Sequence, residues 1–252
     1  MYRLVSLVSI FSLCLSSSLK AQRIADHNTL GWAASFNTIH INQRYSILLE
    51  YQWRRDQLVA DWQQSLFRTG IQAHLKNGLH LMAGYGYIIT FPHGDFPAGP
   101  HPVPEHRIFE QLMWNDAIRR VSLNHRFRFE QRFLGKIDQL ASEKVVTDWT
   151  YLNRIRYQLR ATIPLNKRSM SDDTWYLAAF EEIFIGFGKN VNQNVFDQNR
   201  VGLLLGYQVS KHVRAEAGYF NVIVQQGGLI NGREVFQYNQ GVMANLYLTL
   251  NN

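Results

Sequence analysis

Arginine recurs at alternate positions in this 252-residue chain: Arg126, Arg128 and Arg132 flank Glu130 in one stretch, and Arg154, Arg156 and Arg160 follow in another. Arg107, Glu182 and Arg200 stand in similar surroundings. In an extended strand alternate side chains share a face, so each run aims its charges in one direction. A guanidinium keeps its charge and offers five donors in a fixed fork, which suits it to bind carboxylates and other oxyanions. These ten residues, eight arginines against two glutamates, are the candidate site. Glu50, Arg68, Arg214, Glu216 and Arg44 share the same parity in their own segments. Two roles follow from the chemistry. In a narrow interior such residues form a rigid, filled network. In a water-filled one the surplus of arginine lowers the electrostatic barrier to anions.

Other chemistries leave weaker traces. No G-x-S-x-G, H-E-x-x-H or phosphate-cradling glycine run occurs. His93, Asp95, His101, Glu105 and His106 gather around a proline-rich stretch, but their spacing matches no familiar metal site and five prolines, Pro92 to Pro104, stiffen it. Glu181 and Glu182 are adjacent, so on a strand they point to opposite faces and cannot share a proton. His125 lies on an apolar face with no serine at a matching spacing and reads as an interfacial residue. No catalytic residue, metal ligand or cofactor is therefore expected. Arginines confined to one strand face, in an exported chain, also disfavour nucleic acid as a partner.

The positions between the charges define the elements. Val121, Leu123, Phe127, Phe129 and Phe133 interleave with the first arginine run, and Ile155, Tyr157, Leu159, Ala161 and Ile163 with the second. Such a face must meet something oily. Similar alternation, bounded by turn residues, predicts strands over 29–36, 44–53, 62–75, 79–91, 107–114, 120–133, 149–163, 175–187, 196–209, 213–224 and 235–250. Most exceed the ~5 to 6 residues of an ordinary soluble strand and reach the ~9 to 11 that a tilted membrane strand needs. Trp53, Trp149, Trp175, Tyr207 and Tyr219 fall near segment ends, where an interfacial girdle belongs.

Short connections at 37–43, 76–78, 115–119, 164–174 and 210–212 alternate with longer ones, notably 92–105, 134–148, 189–195 and 225–234. That habit assigns the first group to the periplasm and the second to the cell exterior. Lys76, Lys136, Lys144, Lys167, Lys189 and Lys211 are all expected in turns or loops. The expected fold is all-β, a single up-and-down antiparallel transmembrane barrel of about 10 to 12 strands. Eleven segments conflict with the even strand number of bacterial barrels, so either 23–28 threads the lumen or one segment is misread.

The N-terminus has the form of an export signal: Arg3, an apolar core over 4–15, then small and polar residues to Ala21. Residues 1–21 are read as a cleaved signal peptide and 22–252 as one domain. Cleavage removes Arg3 and Lys20, taking the formal charge from +7 to 7 − 2 = +5. It also removes Cys14, so the mature protein has no disulfide; Leu13 stands where a lipoprotein signal has a small residue. After the signal no window approaches the ~18 to 20 apolar residues of a membrane helix, which excludes helical spanning.

The runs EHRIFEQL, HRFRFEQRF, NRIRYQLR, EEIFIGFGKN and FDQNRVGLLLGYQ, beginning at Glu105, His125, Asn153, Glu181 and Phe196, resemble the family catalogued as domain of unknown function 2490. The resemblance implies a barrel in the outer membrane of Gram-negative bacteria and carries over no catalytic residue. The expected protein is monomeric, embedded in outer-membrane lipid, and a structural barrel or a narrow channel favouring small anionic solutes. An outer-membrane enzyme acting on lipid or lipopolysaccharide and a soluble periplasmic β-barrel binder are the alternatives. The soluble form would expose apolar patches far beyond the few hundred Å² a monomer tolerates. If the arginine face is a buried network, Arg128→Ala and Glu182→Ala lower the melting temperature more than Lys144→Ala does; equal melting temperatures would refute it.

Overall fold

The computed structural model describes residues 23–138 and 145–251. The expected export signal, with Cys14, and Lys144 lie outside the described residues. Eleven strands follow one another: β1 Ile24–His40, β2 Tyr45–Asp56, β3 Asp61–His74, β4 Leu79–Thr90, β5 Val103–Ile118, β6 Val121–Ile137, β7 Val146–Pro164, β8 Thr174–Phe187, β9 Phe196–Ser210, β10 Val213–Ile230 and β11 Arg233–Asn251. One 3-10 turn, Lys76–Gly78, joins β3 to β4. Every segment expected from alternation contains a strand, and most strands extend further, the eleven running to between 12 and 19 residues.

Sequential neighbours pair antiparallel, and β1 pairs with β11 to close the barrel. That last pair is parallel, Ile24 opposite Val235 through His40 opposite Asn251. The reason is arithmetic: with an odd number of alternating strands the first and last run the same way. Residues 24–28 therefore do not thread the lumen but form the start of the closing ladder. All eleven segments are real, and an even count is not reached.

Two loop expectations change. The long connection expected over 225–234 is a tight hairpin, in which β10 passes a register shift between Gln225 and Leu229 and turns at Asn231 and Gly232. Both turn residues have positive φ, 52° and 74°, the conformation that Asn-Gly favours in a two-residue hairpin. The connection 165–173, grouped with the short ones, is nine residues long. The connections 91–102 and 188–195, of twelve and eight residues, leave the barrel at the same end, opposite to 165–173. Lys136 stands on the extension of β6, paired with Asp148, rather than in a loop, and Arg44 is exposed in the turn before β2.

Alternation sorts the wall as the pattern requires. On β8 buried and exposed residues exchange nearly one by one, and apolar residues such as Ile155, Leu159, Leu81, Leu203 and Leu205 stand exposed on the outer face. The inner face is uneven. Leu30, Tyr176, Ala178, Leu204, Phe220, Val222 and Met243 pack as an apolar cluster against the wall made by β1 and β8 to β11. Inward glycines make room for its rings, since a Cβ at Gly206 would overlap Tyr176. A Cβ at Gly241 would likewise overlap the backbone oxygen of Leu30 across the closing seam. The opposite wall, β5 to β7, carries the charges.

Closure through the parallel seam has a direct test. Ala33 and Ala244 are partners in it, and neighbouring strands lie ~4.8 Å apart, within reach of a disulfide. The double variant Ala33→Cys/Ala244→Cys should form an internal disulfide on oxidation, seen as altered mobility on a non-reducing gel. Ala33→Cys/Asn245→Cys places the thiols on opposite faces and should not; the reverse result would exclude this register.

Candidate functional site

The charged wall is organised around carboxylates with almost no solvent exposure. Glu130 on β6, fully buried, accepts Arg154 Nε at 2.9 Å and Nη2 at 2.6 Å, Arg156 Nη1 at 2.7 Å and Arg107 Nη1 at 3.4 Å. Glu182 on β8 accepts Arg156 Nε at 3.0 Å and Arg126 Nη2 at 2.8 Å. Glu105, at the start of β5, accepts Arg107 Nε at 2.7 Å and Arg132 Nε at 2.9 Å. Arg154 continues the chain to Asp197 on β9.

Register explains why the carboxylates sit where they do. Arg107 lies opposite Arg132, and Arg128 opposite Arg156. Like charges directly across a ladder repel. Glu105 is diagonal to the first pair and Glu130 to the second, and each ties neighbouring strands together with charge-assisted bonds.

The ten sequence candidates divide into two groups. Arg107, Arg126, Arg128, Glu130, Arg132, Arg154, Arg156, Glu182 and Arg200 form one neighbourhood, although its links differ in strength. Arg128 bonds Gln111 at 2.8 Å and stays 3.9 Å from Glu130, while Arg200 bonds Gln198 at 2.7 Å and stays 4.0 Å from Glu182. Arg160 belongs elsewhere: it reaches across to Glu216 on β10 at 3.1 Å, where Tyr176, Tyr247 and Asn245 also donate. Glu50 and Arg68 form a further pair at 2.7 Å. Glu105 and Asp197 were missed as acceptors because each stands at the margin of a strand, beside loop-like sequence.

Two cavities lie inside the wall, of about 510 Å³ toward the long-loop end and about 560 Å³ toward the other. The proline-rich connection 91–102 is drawn over the first. Gly94 N and Asp95 N donate to Asp56 and Asp26 at 3.4 and 3.3 Å, and Gln226 donates to the backbone oxygen of Phe96 at 2.6 Å. His93 and His101 of this loop line that cavity.

Residues 29–231 match the family described as protein of unknown function (DUF2490). The chain belongs to that family. No curated protein matches it. The match ends in the β10–β11 turn, leaving the closing strand β11 outside it.

The remaining histidines of this DUF2490 protein separate into distinct settings. Glu105 faces inward to its arginines, whereas His106 faces outward and packs on Trp149 at 4.7 Å, so the residues around the proline-rich loop do not converge. His125 stacks on Trp114 at 4.5 Å on the outer face. A group that sequence reasoning missed joins four strands at the short-turn end. The hydroxyl of Ser46 lies 2.8 Å from His40 Nδ1 and 2.7 Å from His74 Nε2, and His74 Nδ1 lies 3.0 Å from His80 Nδ1. No motif could reveal it, because strand register alone brings these residues together. Ser46 is fully buried between the imidazoles and acts as a hydrogen-bonding bridge.

Removing the shared acceptor should be costly, because it strands several buried guanidinium groups. Glu130→Gln is expected to lower unfolding stability by about 3–5 kcal/mol. Lys211→Gln, in an exposed turn, should stay within about 0.5 kcal/mol of the parent. Urea midpoints of the protein refolded in lipid vesicles measure both, and equal midpoints would mean that Glu130 does not hold the wall.

Proposed function

We propose that this DUF2490 protein is an outer-membrane barrel whose lumen favours small anions. The observation that carries the reading is the lining of the two cavities. The one toward the long-loop end is lined by Arg54, Arg68, Arg107, Arg132, Arg154, Arg156 and Arg200 against Glu105 and Asp197. The other has Arg54, Arg68, Arg126, Arg156, Arg160, Arg200 and Arg214 against Glu50 and Glu182. Arg54, Arg68, Arg156 and Arg200 line both cavities, so ten arginines face four carboxylates across the two vestibules; with Glu130 and Glu216 behind the lining a positive surplus remains, strengthened by the low-dielectric wall around it. Anions entering meet a lowered electrostatic barrier and cations a raised one.

The membrane setting is supported by the outer surface. Exposed leucines, isoleucines, valines and aromatics continue around the barrel on one parity of nearly every strand. In water such a surface would be an aggregation hazard; in lipid it is the stable arrangement. Closure of the sheet also satisfies the backbone, since no edge remains to face hydrocarbon. The ion-pair network has a second consequence: it ties β5 to β9 together and keeps the vestibules from collapsing.

Single-channel recording in a planar bilayer under a salt gradient tests this. The expected result is a steady, anion-selective current whose selectivity falls in Arg132→Gln/Arg156→Gln. Silence from a correctly folded, heat-modifiable barrel would overturn the channel reading and leave a filled structural barrel.

A further inference from the structure

Five residues, Trp32, Arg54, Arg68, Arg156 and Arg200, line both cavities and so form the waist between them. Trp32 on β1 and Arg54 on β2 are partners in the ladder, whereas Arg200 comes from β9. The guanidinium carbons of Arg54 and Arg200 lie 4.1 Å and 5.1 Å from the indole centroid. The indole is held in place: its Nε1 donates to Gln63 at 2.7 Å, and it packs on Phe220 at 4.2 Å. Arginine and tryptophan attract through the ring's negative face. That attraction does not neutralise the guanidinium charge.

The four waist arginines differ in their counter-charges. Arg156 has Glu130 and Glu182, each at 2.7 Å, and Arg68 has Glu50 at the same distance. Arg200 approaches only Glu182, at 4.0 Å, a carboxylate already bonded by Arg126 and Arg156. Arg54, itself buried, has no carboxylate in ion-pair range among the described residues. Its donors go to the neutral amide oxygens of Gln52 at 2.9 Å and Gln64 at 2.8 Å, with a second bond to Gln52. A guanidinium has five N–H groups, so Arg54 keeps two of them unused, and Arg200, with its two bonds to Gln198, keeps three. Beside them the buried Nε of Arg68 has no acceptor among the described residues. Donors and charge therefore exceed the acceptors the protein supplies at the waist, where two such arginines stand together; Arg214, farther along the second cavity, is a single further case, with tyrosine rings as neighbours.

We propose that the waist is a binding site for an oxyanion, the carboxylate or phosphate group of a small solute, held by the free N–H groups of Arg54 and Arg200 beside Trp32. The inference rests on the reading of the lumen as anion-favouring and adds where an anion dwells and which class it is. A forked donor set matches the paired oxygens of a carboxylate or phosphate better than it matches a spherical halide. Relief of an uncompensated buried charge supplies the driving force. Binding to the folded state alone raises its stability in proportion to ligand concentration over Kd.

The test is the melting midpoint of the purified barrel in detergent, titrated with inorganic phosphate and, separately, with acetate, ionic strength being held constant with chloride. The parent should show a saturable rise with at least one of the two, and the stronger response assigns phosphate or carboxylate. Arg54→Gln should abolish the rise, Arg54→Lys should weaken apparent affinity about tenfold by losing the fork, and Lys211→Gln should leave it unchanged. If Arg54→Gln does not assemble, Arg200→Gln provides the same comparison. No rise beyond chloride, or an equal rise in Arg54→Gln and the parent, would overturn the site. Because this readout needs no current, the two readings fail separately. Phosphate stabilisation without conductance removes the channel and keeps the site; anion-selective conductance without it removes the site and keeps the channel.

Discussion

The interior of this barrel depends on a carboxylate that never meets water. Glu130 is fully buried and accepts hydrogen bonds from three arginines on two other strands. An isolated buried charge costs several kcal/mol, so neither Glu130 nor its partners could occupy this place alone. Together they satisfy one another, and the condition spreads outward. Arg154 leads to Asp197, Arg156 to Glu182, and Arg107 to Glu105 and so to Arg132. The result is a belt of charge that links β5 to β9 on the inside, while their backbones are already linked by the ladders.

The opposite wall solves the same problem of filling by different means. Between β8 and β1 the lumen is occupied by rings and aliphatic side chains, with Tyr176 and Phe220 fully buried. Inward glycines allow the rings to lie flat against the sheet, as Gly206 does for Tyr176. Tyr176 then delivers its hydroxyl to Glu216, where it meets Arg160 arriving from the charged side. The lumen is therefore neither a uniform pore nor a uniform plug. It has a dry side, a charged side, and two vestibules divided at Trp32.

That division gives the surplus of arginine a location. Most lumenal arginines are neutralised by carboxylates on adjacent strands, so the excess is not spread evenly. It is largest at Arg54 and Arg200, whose hydrogen bonds go to glutamines beside an indole, and at Arg214, which meets tyrosine rings. A positive charge with neutral partners in a confined, low-dielectric space attracts an anion more strongly than one already paired with a carboxylate.

The alternation of Arg126 to Arg132 with Phe127 to Phe133 was enough to determine strands, their faces and a barrel, because a strand has only two sides and oil and charge cannot share one. It did not reach Arg54, which lies past the expected strand end at 53, and it set Arg44 on the charged parity although Arg44 stands exposed in a turn. Three things were decided by tertiary structure alone. The parallel β1–β11 seam is one: eleven segments could be counted from sequence, but only closure shows that none is misread and that residues 24–28 pair with β11. The Asn231-Gly232 turn was legible as a hairpin signal but was hidden within glycine-rich sequence that reads as loop. Partner choice could not be read at all. That Arg160 leaves its neighbours for Glu216, that Ser46 bridges His40 and His74, and that Arg54 finds no carboxylate in ion-pair range among the described residues depend on the tilt and curvature of the closed sheet. Period-two patterning says which face a side chain takes, while closure alone sets what stands across the lumen from it.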